Sequence, residues 1–91
     1  MEKHPALVAL GAQIRQVREK KGISQEDFAA LAGLSRAYYG SIERGERNVA
    51  ALNLMRIARA LDSDVGKLFP PISVFAPLLQ ADGIDGGESN R

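Results

Sequence analysis

The stretch Ser24–Arg44, SQEDFAALAGLSRAYYGSIER, limits what the chain can fold into more than any other. Ser24 is an N-cap residue, able to take a main-chain N–H that the first helical turn leaves without a partner. Gln25, Glu26 and Asp27 follow, in a turn whose positive dipole end favours acidic groups. Phe28, Ala29, Leu31 and Ala32 supply an apolar stripe. Gly33 then ends the helix in the left-handed conformation that glycine alone adopts freely. Ser35 caps a second helix, on which Tyr38, Tyr39 and Ile42 can face inward, and Gly45 stops it.

Two short helices joined by a turn containing glycine form the helix-turn-helix unit, whose second helix enters the major groove of DNA. The spacing strengthens that reading. Counting from Gln25, the fifth place, Ala29, must be small because the helices cross closely there. The ninth, Gly33, must allow a left-handed backbone, which costs a residue with a Cβ about 1 kcal/mol or more. Apolar residues are wanted at Phe28, Ala32, Leu34, Tyr39 and Ile42, and all are present, Tyr39 being larger than the usual branched aliphatic. An ordinary helical hairpin in a bundle is the plainer alternative; the spacing favours DNA binding over it.

At 91 residues, 45% hydrophobic and 25% charged, the chain suits one globular domain with a single small core. No run approaches the ~18 apolar residues of a membrane span, and the N-terminus lacks a signal-peptide pattern. A cytoplasmic location is therefore expected. With no cysteine there is no disulfide and no thiolate metal site, and His4 is the only histidine. No nucleophile–base pair, metal cluster or phosphate-cradling glycine loop supports an enzyme, and neither metal nor cofactor is expected. Net charge is only +1, but Asp82, Asp85 and Glu88 face Arg91 alone in the tail, so the body before Pro70 is more basic than the whole.

Pro5 to Lys21 reads as the first helix, with Leu7, Leu10, Ile14 and Val17 on one face. Lys20 and Lys21 complement its dipole or are simply solvated, and Gly22 closes it. Glu46 to Asn48 is a polar loop. Arg44, Arg47 and Asn48 there are donors that could reach phosphates, a solvated loop being the alternative. Ala51 to Leu61 is a fourth helix, with Leu54, Ala58 and Leu61 on one face and Met55 and Arg59 turned elsewhere. Asp64 can cap a last short turn, Val65 to Phe69, and Pro70-Pro71 should end regular structure. Beyond it, Ile72, Val74, Phe75, Leu78 and Leu79 form an apolar patch broken by Pro77. Burying each is worth about 1.5–3 kcal/mol, so the patch either folds back on its own domain or docks on a partner. Residues 81–91, rich in Gly, Asp and Ser, are expected to be disordered.

SQEDFA, the I-E-R-G at Ile42–Gly45 and NLMRIARAL at Asn53–Leu61 occur together and in order. From Leu10 to Phe69 this pattern resembles the lambda-repressor-like (Xre-type) helix-turn-helix family. YYGSIERGERNVAALNL is further similar to the controller proteins of restriction–modification systems. The resemblance implies an all-α, five-helix DNA-binding domain over residues 1–69, with a C-terminal extension over 70–91. It implies a homodimer that binds double-stranded DNA at a roughly two-fold operator and regulates transcription, at its own or a neighbouring promoter. An antitoxin-like protein, whose tail binds a toxin while the domain binds DNA, is the alternative.

Carried over residue by residue, the resemblance puts Gln25 on a phosphate and Arg36, Ala37 and Ser41 at base edges. The planar fork of Arg36 can bond guanine O6 and N7 together, and Ala37 can offer a methyl contact. Tyr38 would lie toward the backbone or groove edge, and Arg44, Arg47 and Asn48 toward phosphates. Glu43 would turn inward and pair with Arg18, a structural role. Gly40 departs from a good helix former in mid-helix at a cost of about 1 kcal/mol, for close approach of DNA or of another helix. A two-fold contact would use one patch on both chains, with Met55, Val65, Leu68 and Phe69 as candidates, joined by Val74 and Phe75 of the tail.

Overall fold

In the computed structural model, which describes residues 3–80, helix α1 (Pro5–Lys20) starts where the His4 side chain accepts the Ala6 N–H. Pro5 takes the first turn, where a missing N–H is no loss. Helix α2 (Gln25–Ala32) and helix α3 (Arg36–Glu43) are each capped by serine: Ser24 Oγ accepts the Asp27 N–H at 3.0 Å and Ser35 Oγ the Tyr38 N–H at 3.1 Å. Gly33, at φ +74°, makes the left-handed turn between them. Helix α4 (Ala51–Leu61) has no side-chain N-cap, and ends on Asp62 with φ 53°.

The C-terminal third departs from expectation. Val65–Leu68 is a 3-10 turn, and Asp64 helps it through its main-chain carbonyl, which accepts the Lys67 N–H, and not through its side chain. Pro70-Pro71 does not end regular structure. The Pro71 carbonyl accepts N–H groups from Val74 and Phe75 and so opens helix α5 (Ile72–Gln80). Proline is tolerated before a helix because its missing N–H would have had no partner there. Pro77, inside α5, has no such excuse, because it cannot bond the carbonyl of Ser73. Packing offsets the loss: Phe69, Pro70, Phe75 and Leu79 lie over Ala6, Leu7 and Leu10 of α1, around an apolar cleft of about 200 Å³. The expected disorder of 81–91 falls outside the described residues.

One core joins α1 to α4 and the 3-10 turn, built from Leu10, Ile14, Phe28, Ala29, Ala32, Tyr39, Ile42, Val49, Ile57, Ala58, Leu61 and Leu68. The rings of Phe28 and Tyr39 meet at 5.0 Å, tilted by 55°. Leu68 is 0% exposed, which corrects its expected place on a dimer face: the 3-10 turn packs against α1 and α4, and Leu68 joins their core. Leu31 is 61% exposed, also against expectation. At about 100° per residue it falls outside the arc defined by Phe28, Ala29 and Ala32.

Two glycines let α1 press onto α3. A Cβ on Gly11 would stand 2.4 Å from the Ile42 carbonyl oxygen, and one on Gly45 2.6 Å from Val8 Cα. That contact fixes the azimuth of α3 on the domain.

Candidate nucleic-acid interface

The interface is set from the inside. On the inner face of α3, Glu43 receives Arg18 Nε at 2.6 Å and Arg18 Nη2 at 3.1 Å, a two-point pair across α1 and α3. Gln25 Nε2 donates to the same carboxylate at 2.9 Å, and the Tyr39 hydroxyl donates to it as well. Arg18 Nη1 reaches the Ile23 carbonyl at 2.6 Å, tying in the loop before α2. Burial by itself would raise the Glu43 pKa; the hydrogen bonds from Arg18, Tyr39 and Gln25 outweigh it and hold the carboxyl below the usual glutamate range. Burial, reinforced by the carboxylate, pushes the Tyr39 phenol well above its ordinary value, so it stays a donor. Three helices thus converge on one buried anion, and an acid that would repel phosphate is turned away from solvent.

The outer face of α3 carries Arg36 and Ala37, both exposed. Arg36 makes no hydrogen bond or ion pair with the described residues, so its fork is free for a partner. Ser41 is placed differently from expectation. It is 6% exposed, donates to the Tyr38 carbonyl at 2.6 Å and accepts from Arg47 Nε at 3.2 Å. A hydroxyl so engaged has little left for a base edge; it anchors Arg47 instead. Gln25 likewise spends one of its two amide N–H donors on Glu43, and its main-chain N–H lies in the unpaired first turn of α2.

Tyr38 is half-buried at the rim, with the Arg47 guanidinium 5.5 Å over its ring. Asn53 Nδ2 donates to its hydroxyl at 3.0 Å, and Arg56 Nη1 donates to Asn53 Oδ1 at 2.7 Å. Arg44, exposed, is held by both oxygens of Glu46, Nε at 3.0 Å and Nη2 at 3.2 Å. Its Nη1 lies 3.1 Å from where a Cβ on Gly40 would stand, with Gln25 Oε1 at 3.4 Å from the same point. The close approach that Gly40 allows is therefore made by the side chains of Gln25 in α2 and of Arg44 at the C-cap of α3. Asn48 is exposed in the loop between α3 and α4. Among the described residues no His, Cys, Asp and Glu cluster could hold a metal ion.

The Helix-turn-helix family profile HTH_3 matches residues 14–68, from the middle of α1 to the end of the 3-10 turn. The chain belongs to the Xre-type helix-turn-helix family. It is 42% identical over 66 residues to the control protein C.MunI of Mycoplasma sp, covering 71% of this chain and 89% of that protein. It is 48% identical to the restriction-modification controller protein C.AhdI from Aeromonas hydrophila, with a TM-score of 0.68 over 69% of this chain and 96% of that one. A crystal structure of SinR, the master regulator for biofilm formation, in complex with DNA is 35% identical, with a TM-score of 0.62 over 65% of this chain and 95% of that one. Helix α5 lies beyond the matched residues. Within this Xre-type domain, Gly11 packs α1 on α3, and Asn53 and Arg56 link α4 to Tyr38; none of the three stands out as a site residue in the sequence, although Asn53 and Arg56 lie in the NLMRIARAL motif. A glycine inside a helical pattern hints at close packing, but only the bound carbonyl of Ile42 says where.

Proposed function

We propose that the chain is a sequence-specific double-stranded DNA-binding transcriptional regulator that acts as a homodimer in the cytoplasm and has no catalytic role. The observation that carries this is the division of α3: Glu43 and Tyr39 are locked inward, while Arg36 and Ala37 stand exposed with the Arg36 fork unpaired. Arg36 and Ala37 read bases; Arg44, Arg47, Asn48, Tyr38 and the first turn of α2 hold phosphates on either side. The relatedness to controller proteins supports a role at the promoter of its own or a neighbouring gene. No helix among the described residues is long and apolar enough to cross a membrane.

A single α3 reads too few base pairs to single out one genomic site, and two copies about a two-fold axis read half-sites about 34–36 Å apart. Exposed apolar residues at Met55, Val65, Phe69 and Val74 support a symmetric contact made by the C-terminal third. Footprinting on DNA upstream of the protein's own gene tests the reading. Protection of two related half-sites is expected, and no protection anywhere, with no duplex selected from a random-sequence library, would defeat it.

A further inference from the structure

The link from α4 to α3 has a direction. Arginine carries donors only, so Arg56, at 2.7 Å, fixes which end of the Asn53 amide is the oxygen. The amide nitrogen must then face Tyr38, and at 3.0 Å it donates into a lone pair of the phenol oxygen. With that lone pair filled from α4, the phenolic proton is left for another acceptor, on the rim where the Arg47 guanidinium already covers the ring. We propose that Asn53 and Arg56 are positioning residues for DNA binding, which set the Tyr38 hydroxyl as a hydrogen-bond donor toward a phosphate oxygen.

The inference rests on α3 being the DNA-facing helix. Phosphate oxygens are acceptors only, so a hydroxyl presented as an acceptor would be wasted on them, and one presented as a donor is matched. Neither Asn53 nor Arg56 needs to touch DNA for this; each acts through Tyr38.

A double-mutant cycle on the full-length chain tests it. Dissociation constants are measured on a duplex selected by the wild type from a random library, and on a scrambled duplex of the same composition. Tyr38→Phe keeps the ring and should weaken both about three- to tenfold. Asn53→Asp is nearly isosteric but accepts where the amide donated, so the phenolic proton turns inward. It should cost the Tyr38→Phe factor and, in addition, the repulsion of its new charge. In the Tyr38→Phe background only the charge remains, so the two effects should fall short of multiplying by about three- to tenfold on both duplexes. Asn53→Ala, run alongside, should weaken binding in the wild-type background and hardly at all in Tyr38→Phe.

Losses that multiply fully would show that Asn53 acts independently of Tyr38 and overturn the proposal. A lowered melting temperature without the shortfall, which a merely structural role would give, overturns it too. A shortfall on the selected duplex alone would make the acceptor a base and overturn the phosphate assignment. A wild type that selects no duplex removes the DNA-binding reading and the relay together, whereas failed coupling in a chain that does bind removes only the relay.

Discussion

The basic residues around α3 differ in what they already hold. Arg44 is gripped by Glu46, Arg47 is tethered to Ser41 and Arg56 to Asn53, while Arg36 has no partner among the described residues. An unpaired fork beside an exposed alanine suits a base edge, where a bidentate pair discriminates by about 1–3 kcal/mol. Arg36→Ala should therefore weaken the selected duplex by that amount and the scrambled duplex hardly at all, measured as a ratio of dissociation constants; equal losses would place Arg36 on phosphate. Glu43 tests the inner face. Its folded pKa lies below the ordinary value, so the unfolded chain binds the proton more readily. The stability it contributes is then complete above the usual glutamate pKa of about 4.5 and is lost as pH falls through the lower folded value. Glu43→Gln should melt lower than wild type at neutral pH, by less than the about 3–5 kcal/mol of stranding Arg18 outright. The gap between the two melting curves should close on acidification, and a gap independent of pH would count against a buried carboxylate.

Between elements, the decisive contacts are where backbone meets backbone. Gly11 faces main-chain oxygens of Ile42 and Glu43, which cannot move without shifting α3. Gly40 faces only the ends of the Arg44 and Gln25 side chains, and Arg44 is exposed and can give way. The same substitution should thus have opposite signs. Gly11→Ala is expected to cost about 1–3 kcal/mol through overpacking and to weaken DNA binding as α3 is displaced. Gly40→Ala should gain up to about 1 kcal/mol from helix propensity. Thermal or urea unfolding of both variants checks this, and a Gly40→Ala that is the more damaged would mean the α2–α3 contact is stiffer than its side chains suggest.

For the molecule as a whole, α5 folds back on its own domain with part of its apolar surface and leaves the rest exposed. Phe75 and Leu79 line the cleft against α1, Leu79 still 47% exposed, while Ile72 and Val74 are 69% and 48% exposed. Truncation after Pro70 would uncover Ala6, Leu7 and Leu10, so a lower melting temperature is expected. If the outward residues also join the two-fold contact, each burying about 1.5–3 kcal/mol of apolar surface, the truncated chain should sediment as a weaker dimer than the full-length one. Unchanged self-association would confine the contact to α4 and the 3-10 turn, and a full-length chain that stays monomeric at high micromolar concentration would end the dimer proposal.

Local chemistry was enough to read the two serine caps, the left-handed Gly33, the apolar face of α1 and the helix-turn-helix spacing, because each depends on residues within a turn or two of one another. The inward Glu43–Arg18 pair came only from resemblance, since nothing within α3 says which way an acid points. Other features needed the folded chain. Ser41 lost its expected role because Arg47, from the following loop, lies over it. Leu68 lies in the core because the turn that carries it packs against α1 and α4, far off in sequence. Helix α5, with its internal proline, leans on α1 across more than sixty positions of sequence. Propensity weighs a residue against its neighbours along the chain, and these outcomes were set by neighbours in space.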